Sequence, residues 1–523
     1  MLAKVNSMAV VGLDSYPVEV EVDIGQGLPA LNIVGLPDKA VEESKERVRS
    51  AIKNSGSNFP MSRITVNLAP ADLKKEGPAY DLPIAVGILF ADKQLPKADL
   101  KKSIFVGELS LNGELRHING ILPITMFARE KGFERIFLPS VNTVEASLID
   151  DIEIIPVKNL NDLILHLKGE KIIAPFERTY DLEFSNYNSD FDFKYVQGQN
   201  SAKRALEIAA AGGHNVLMSG PPGSGKTLLA KSFASILPRL TKNEVLEVTK
   251  IYSIAGALPP DTPLVSYRPF RSPHHTASHI AIVGGGAWPK PGEISLSHRG
   301  VLFLDEFPEF PRSVLESLRQ PLEDGIVTVS RASGSLTFPA RFILIAAQNP
   351  CPCGYLTDPA KQCVCTPTQI IRYQKRVSGP ILDRIDLHIE VPRIKYEELS
   401  KKESSEPSEK VRERIEKARE IQHNRFACSN LPQELSSKRS RGVDGIVSIN
   451  SEMRPQDIKK YCQIDAPSEE LLKSAVSQFN LSARAYNRIL KLARTIADLS
   501  TSENIDQTHI AEAIQYRPKE NRY

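Results

Sequence analysis

Over residues 1–169 apolar positions recur with two different periods. Val18, Val20, Val22 and Ile24 alternate with Glu19, Glu21 and Asp23, the signature of a strand with one buried face. Val41, Lys45, Val48 and Ile52 instead recur at helical spacing until Gly56, which predicts a helix ending there. Apolar runs at 64–68, 104–109, 136–138 and 152–157 read as further strands, so 1–169 is expected to be an α/β domain. Residues 170–193 lose the periodicity and carry Asp, Asn and Ser, as a linker does.

A second pattern begins near 194. Residues 202–211 read as a helix, Val216-Leu-Met218 as a short buried strand, and Leu228, Leu229, Phe233, Ile236 and Leu237 as a helix that Pro238 stops. Val301-Leu-Phe-Leu304 and 342–347 are continuous apolar runs ending in polar residues, the form of strands buried on both faces of a parallel sheet. Two β-rich arms around Ser333-Gly334 predict a hairpin over 326–338. From 397 to 407 the composition shifts to Ser, Lys, Glu and Pro, a hinge; beyond it 411–426, 455–462, 468–479, 483–500 and 506–514 read as helices. The expectation is an α/β protein with a parallel-sheet core over 194–396 and an all-helical lid over 397–523.

A length of 523 residues allows about three domains. The 41% hydrophobic and 25% charged fractions suit a soluble globular chain, and 66 basic against 63 acidic residues leave +3, so any nucleic-acid surface must be local. The N-terminus has no basic segment followed by a long apolar one, and no apolar run approaches a membrane span; a cytosolic protein with no membrane partner is expected. Four of the six cysteines crowd between Cys351 and Cys365, which in a reducing compartment suggests metal rather than disulfides.

The chemistry-bearing stretch is Gly220-Pro221-Pro222-Gly223-Ser224-Gly225-Lys226-Thr227, which fits G-x-x-x-x-G-K-[ST] between a strand and a helix. Its glycines let backbone N–H groups curl around an anion, Lys226 reaches terminal phosphates and Thr227 can ligate Mg²⁺, so a nucleoside triphosphate, ATP, is the implied ligand. The bland alternative, a glycine turn before an ordinary helix, needs the spacing, lysine and hydroxyl by accident. Asp305 and Glu306 end the 301–304 strand where ligands bind in open α/β sheets. Asp305 is expected in the Mg²⁺ shell and Glu306 as the base for attacking water; solvated strand-end acids are the duller reading. Asn349 ends the next strand and can contact a γ-phosphate or the lytic water, unless it is a turn asparagine before Pro350. Cys351-Pro-Cys353 and Cys363-Val-Cys365 can close a tetrahedral Zn²⁺ site; C-x-C is less diagnostic than C-x-x-C, so free cysteines are the alternative. The 77 residues between Thr227 and Asp305 exceed one crossover, leaving room for an inserted hairpin near 268–286.

Lys75-Glu-Gly-Pro-Ala-Tyr-Asp81 and Gly107-Glu-Leu-Ser-Leu-Asn-Gly-Glu-Leu115, with the order of elements, resemble the proteolytic domain of Lon protease, which implies a Ser-Lys dyad. The place of the serine is Ala79 and the place aligned with the lysine is Leu122, so acyl transfer by that dyad is chemically impossible here. Val196-Gln-Gly-Gln199 resembles the adenine-side entry of AAA+ ATPases, making Val196 and Gln199 nucleotide contacts. Asp383-Arg384-Ile-Asp386 looks like the AAA+ segment whose arginine reaches a neighbouring subunit's nucleotide, which implies a ring; a surface ion pair is the cheaper reading. Arg484 would follow the γ-phosphate as the lid closes. In the magnesium-chelatase-like branch of AAA+ proteins, which these segments resemble, insertions at the places of the two expected hairpins point toward the ring pore, which makes Arg268, Arg271, Lys290 and Arg331 candidates for a polyanion, with Lys438-Arg-Ser-Arg441 a further basic loop.

With Gly292-Glu-Ile-Ser-Leu-Ser-His-Arg-Gly300 and Asn349-Pro-Cys-Pro-Cys-Gly354 added, the chain resembles the ComM/YifB family of magnesium-chelatase-like AAA+ ATPases over essentially its whole length. The resemblance implies a hexameric ATP-driven ring that binds DNA and promotes branch migration in natural transformation. A chelatase motor and a protein-remodelling ATPase are the alternatives; the fused Lon-like front and the cysteines count against the first.

Overall fold

In the computed structural model, residues 2–96, 100–177, 191–258, 264–286, 290–331, 334–394, 405–427, 447–479 and 481–517 are described. The chain divides into two compact units, Met1–Glu183 with Val245–Val265, and Phe184–Glu244 with Ser266–Tyr523. Residues 245–265, which the sequence pattern allots to the ATPase core, therefore pack as part of the first unit.

The first unit is built on a seven-stranded mixed sheet in the order Ala30–Val34, Arg63–Ala69, Asp14–Gly25, Ala3–Val11, Ser103–Phe105, Arg135–Pro139, Glu153–Val157. Ala3–Val11 and Asp14–Gly25 run antiparallel with Val5 opposite Val20, and the three strands after Ala3–Val11 run parallel to it. The predicted alternation holds: Val18, Val20 and Val22 are buried. Helix Lys39–Asn54 is N-capped by Asp38, whose carboxylate accepts from Val41 N at 2.8 Å, and it buries Val41, Val48, Ala51 and Ile52. The run expected as one strand over 104–109 is broken at Gly107, whose N–H donates to Ala79 O, and Glu108–Leu109 pairs separately with Leu115–Arg116.

The remnants of the Lon-like dyad are structural. Ala79 packs with Met8, Ile104 and Ile136, whereas Leu122 is buried in another cluster with Leu148 and Ile149, against which Leu246 and Leu264 of the 245–265 segment pack. Glu145 takes Leu122 N (2.9 Å) and the Ser253 hydroxyl (2.5 Å), and Ser253 Oγ accepts from Gly120 N at 3.0 Å. Burial pushes the Glu145 carboxyl up, opposed by these donors. The returning segment thus caps the start of helix Ile121–Glu130 and closes the region where a base would stand.

The second unit holds a five-stranded, all-parallel sheet in the order Phe270–Arg271, Val301–Leu304, Ile343–Gln348, Val216–Ser219, Leu387–Glu390. The hairpin expected over 326–338 forms from Ile326–Arg331 and Gly334–Pro339, with Val329 opposite Leu336. The insertion after Arg271 is not a long hairpin. Ser278 caps a short helix, His279–Val283, and Gly284–Gly285 pairs antiparallel with Lys290–Pro291. The helices of the C-terminal part are Ser408–Ala427, Pro455–Tyr461, Ala466–Phe479, Ala483–Leu499 and Gln507–Gln515. Val411, Ile415, Ala418, Ile489 and Ala493 share one apolar core with Phe233 and Val216. Lys438–Arg441 lies outside the described residues.

Candidate nucleotide site

The parallel register brings three strand ends to one edge. Val216–Ser219 pairs with Ile345–Gln348, and Val301–Leu304 with Ile343–Ala346, so the phosphate loop, Asp305 and Asn349 all emerge at the carboxyl side of the sheet. Gly220 has to be glycine: a Cβ there would lie 2.1 Å from Val391 O. Gly223 and Gly225 have φ of +73° and +89°, the left-handed turns that lead into helix Lys226–Ile236. Pro221, Pro222 and Ser224 complete the loop.

The polar groups named from the sequence meet here. Thr227 Oγ1 donates to Asp305 Oδ2 at 2.8 Å. Lys226 Nζ donates to Gly220 O (2.7 Å), Pro221 O (2.9 Å) and Asn349 Oδ1 (3.3 Å). Burial lowers the Lys226 pKa while Asp305 opposes the shift. Gln199, itself left-handed at φ +52°, donates to Ser224 O at 2.5 Å, and buried Val196 offers its carbonyl to Ser405 Oγ at 2.7 Å. A hydroxyl beside a carboxylate, at the start of a helix and next to a glycine loop, fits a divalent cation carrying a polyphosphate.

Glu306 follows directly, also left-handed at φ +52°, with its N–H on Asp305 Oδ1. Its carboxylate stands 3.0 Å from His275 Nδ1. No sequence spacing pointed to His275.

The four cysteines converge on the loop that leaves Asn349. Cys351 and Cys353 Sγ are 3.4 Å apart, Cys351 and Cys363 3.7 Å, Cys353 and Cys363 3.5 Å, and all four sulfurs lie within 4.8 Å of one another. These spacings are far beyond a bonded S–S pair and close to the ~3.8 Å edge of a tetrahedron with Zn–S of ~2.3 Å. The donor set therefore fits Zn²⁺. At the end of the first pair Gly354, φ +83°, sits so close to the phosphate loop that a Cβ would come 2.6 Å from Pro222 Cδ.

Arg384 and Arg484 stand elsewhere. Leu387 is opposite Val216 and Glu390 opposite Ser219, so Arg384 is at the amino edge of the sheet, about 10 Å of strand away from the phosphate loop. Its guanidinium donates to Pro380 O at 2.7 Å and pairs with Glu323, and Arg484 approaches the same carboxylate at 3.5 Å. They line a cavity of about 980 Å³ with Arg341, Arg488 and Lys491. Arg484, expected to follow the γ-phosphate as the lid closes, stands here with Arg384 because helix Ala483–Leu499 packs on the amino edge of the sheet, where Arg488 Nη1 donates to Ile385 O at 2.5 Å.

Two candidate polyanion contacts are taken up by structural pairs. Arg268, only 13% exposed, holds Glu244 at 3.1 Å and donates to the Pro238 and Arg299 carbonyls; Arg271 grips Glu293 through two bonds of 2.6 and 2.7 Å. Lys290 is exposed, and the Arg331 side chain lies outside what is described.

Three family models match the chain. Residues 192–399 match magnesium chelatase, subunit ChlI; 20–142 match subunit ChlI of Mg-chelatase; and 405–517 match the magnesium chelatase subunit ChlI C-terminal family. The chain is 43% identical to competence protein ComM of Haemophilus influenzae over 99% of its own length and 97% of the relative's. The chain belongs to the ComM/YifB family. Within that magnesium-chelatase-like AAA+ family it is also 42% identical to YifB of Escherichia coli, over 99% of this chain and 97% of that one. Lon protease 2 of Bacillus subtilis is 30% identical over 178 residues, 31% of this chain and 32% of that protein, in keeping with a Lon-like front to the family fold. Among the described residues no helix is long and apolar enough to cross a membrane.

Proposed function

We propose that this ComM/YifB-family chain is an ATP hydrolase working as a subunit of a hexameric ring that moves DNA, with branch migration during natural transformation as its task. The observation that carries the reading is the joining of Thr227, Asp305, Lys226 and Asn349 at one sheet edge. Lys226 and the amides of 220–227 would hold the phosphates. Thr227 and Asp305 would hold Mg²⁺, which when bound neutralises the phosphate charge. Glu306 accepts the proton of the attacking water, and Asn349 orients that water or the γ-phosphate. Arg384, set far from its own phosphate loop, serves the neighbour's, where a guanidinium stabilises charge building on the transferred phosphoryl group. Arg484 shares Glu323 with Arg384 and is carried with it to that site.

Cys351, Cys353, Cys363 and Cys365 would hold a structural Zn²⁺ that stiffens the turn against Pro222. The DNA part of the reading is supported by the name of the relative, a competence protein, and by the exposed insertion that carries Lys290. The test is ATPase of the purified chain with single-stranded DNA, branched DNA or an unfolded protein added. Stimulation by DNA supports a DNA motor; stimulation by unfolded protein alone turns the reading into protein remodelling.

A further inference from the structure

Two glycines deliver one histidine to the amino edge of the parallel sheet. Helix Asn200–Gly212 ends with Gly213 at φ +74°, and the Gly213 and His214 amides both donate to Ala209 O, at 2.8 and 3.0 Å. His214 is completely buried and stands two residues ahead of strand Val216–Ser219, whose other end leads into the phosphate loop. Its Nδ1 is hydrogen-bonded to Asp386 Oδ2 at 3.3 Å and its Nε2 to Thr495 Oγ1 at 2.8 Å. Burial would raise the Asp386 carboxyl, but the His214 hydrogen bond, Arg488 and Lys491 override this and hold it below its usual range, so the carboxylate accepts and Nδ1 donates. Gly212 makes the room for the second bond: a Cβ there would come 2.2 Å from Nε2 and 2.6 Å from Thr495 Oγ1.

Both ends of this bridge bear on the segment that carries Arg384. Asp386 is two residues away from it, and Asn215 donates its side-chain amide to Arg384 O at 3.1 Å while its Oδ1 accepts from Leu344 N at 2.8 Å. Thr495 lies on helix Ala483–Leu499 about two turns beyond Arg488, which donates to Ile385 O at 2.5 Å. One face of that helix therefore grips residues 385 and 386 twice, directly through Arg488 and at one remove through the imidazole. Thr495 is fixed in turn by Asn450, whose amide donates to it at 3.1 Å and to Asp498 Oδ2 at 2.8 Å. A buried polar chain of this kind, with each member bonded to the next, holds its parts in one arrangement.

We propose that His214 is a positioning residue that ties Asp386 to the C-terminal helices through Thr495, so that the Arg384 offered to a neighbouring subunit is set by the helices of its own. The inference rests on the reading of Arg384 as a finger acting on the neighbour's nucleotide. It gives a task to a buried imidazole that no phosphate contact requires. Loss of the tie is felt at the neighbour's nucleotide, while the subunit's own phosphate loop stays intact.

The test is ATP turnover by rings of the full-length chain. His214→Ala, and Thr495→Val, which keeps the shape of threonine without its hydroxyl, should each lower kcat about tenfold at unchanged KM. Thr495→Ser keeps the hydroxyl and should behave as the parent. Mixed with Lys226→Ala, both slowed variants should recover part of the lost rate, because an intact finger from the Lys226→Ala subunit then meets an intact phosphate loop. If His214→Ala does not fold, Thr495→Val carries the same two predictions. A parental kcat in the slowed pair overturns the proposal, as does Thr495→Ser turning over as slowly as Thr495→Val. So does a lack of recovery in rings shown to be mixed, which places the damage in the subunit's own site. Arg384→Ala in the same assay separates the two readings. At the parental rate, the finger itself fails and takes the proposal with it; slow and rescued by Lys226→Ala while the His214 and Thr495 variants match the parent, only the tie fails.

Discussion

Cys363→Ser removes one of four sulfurs that lie within 4.8 Å of one another on the loop that leaves Asn349. Structural Zn²⁺ sites of this donor type hold their metal with about 10–16 kcal/mol of apparent free energy, so one ligand in four carries about 3 kcal/mol, or about a hundredfold in affinity. Serine is a poor replacement, because its hydroxyl does not ionise near neutral pH. The loss reaches the nucleotide through packing: Gly354 abuts Pro222 so tightly that there is no room for a Cβ, so a loosened turn lets the phosphate loop relax. The expected outcome is one zinc per chain in the parent by elemental analysis, well below one in the variant after dialysis against a weak chelator, and a several-fold higher KM for ATP with kcat less affected. A parent free of zinc, or a variant retaining full zinc with parental KM, would refute the reasoning.

Lys226→Ala should abolish nucleotide binding measured by fluorescent ATP titration, whereas Glu306→Gln should bind ATP normally and lose hydrolysis by at least about a hundredfold. Arg384→Ala should lower kcat by about a thousandfold while leaving ATP binding intact, and mixing it with Lys226→Ala should restore part of the activity, since some interfaces then pair an intact loop with an intact finger; no recovery in rings shown to be mixed would contradict a shared site. Glu244 gives a pH test. Burial would raise its carboxyl, but Arg268, Arg299 and the Thr241 amide override this and hold it at about 2, below the ordinary 4.5. A lowered carboxylate contributes stability that is complete above about 4.5 and fades as pH falls toward 2, about 3 kcal/mol in all. Glu244→Gln should therefore be less stable than the parent in urea at pH 7, with the gap closing as the medium is acidified through that window.

The phosphate loop was legible because its chemistry is local: glycine freedom, one lysine and one hydroxyl within eight residues. The buried strands were legible for the same reason, since apolar runs ending in Asp305 or Asn349 carry their own meaning. Glu244, the partner of Arg268, and Glu323, the carboxylate between Arg384 and Arg484, are remote in the chain and carry no sequence mark tying them to those arginines. His275 escaped because the strand that delivers it, Phe270–Arg271, is too short for any periodicity. Helix Asp81–Ala91 is apolar on nearly every side and shows no amphipathic stripe. Residues 242–255 form a helix that the sequence reading did not single out. Periodicity says nothing about which core that helix completes.

The return of residues 245–265 to the first unit sets an order on biosynthesis. As the polypeptide leaves the ribosome, Leu122, Leu148 and Ile149 wait uncovered until Leu246 and Leu264 arrive, by which time the whole phosphate loop has already been translated. A gene fragment ending before residue 245 would encode a front half lacking its final wedge, with Glu145 deprived of Ser253. A simple cut between the two stretches of sequence would therefore separate the front unit from residues that complete its own core.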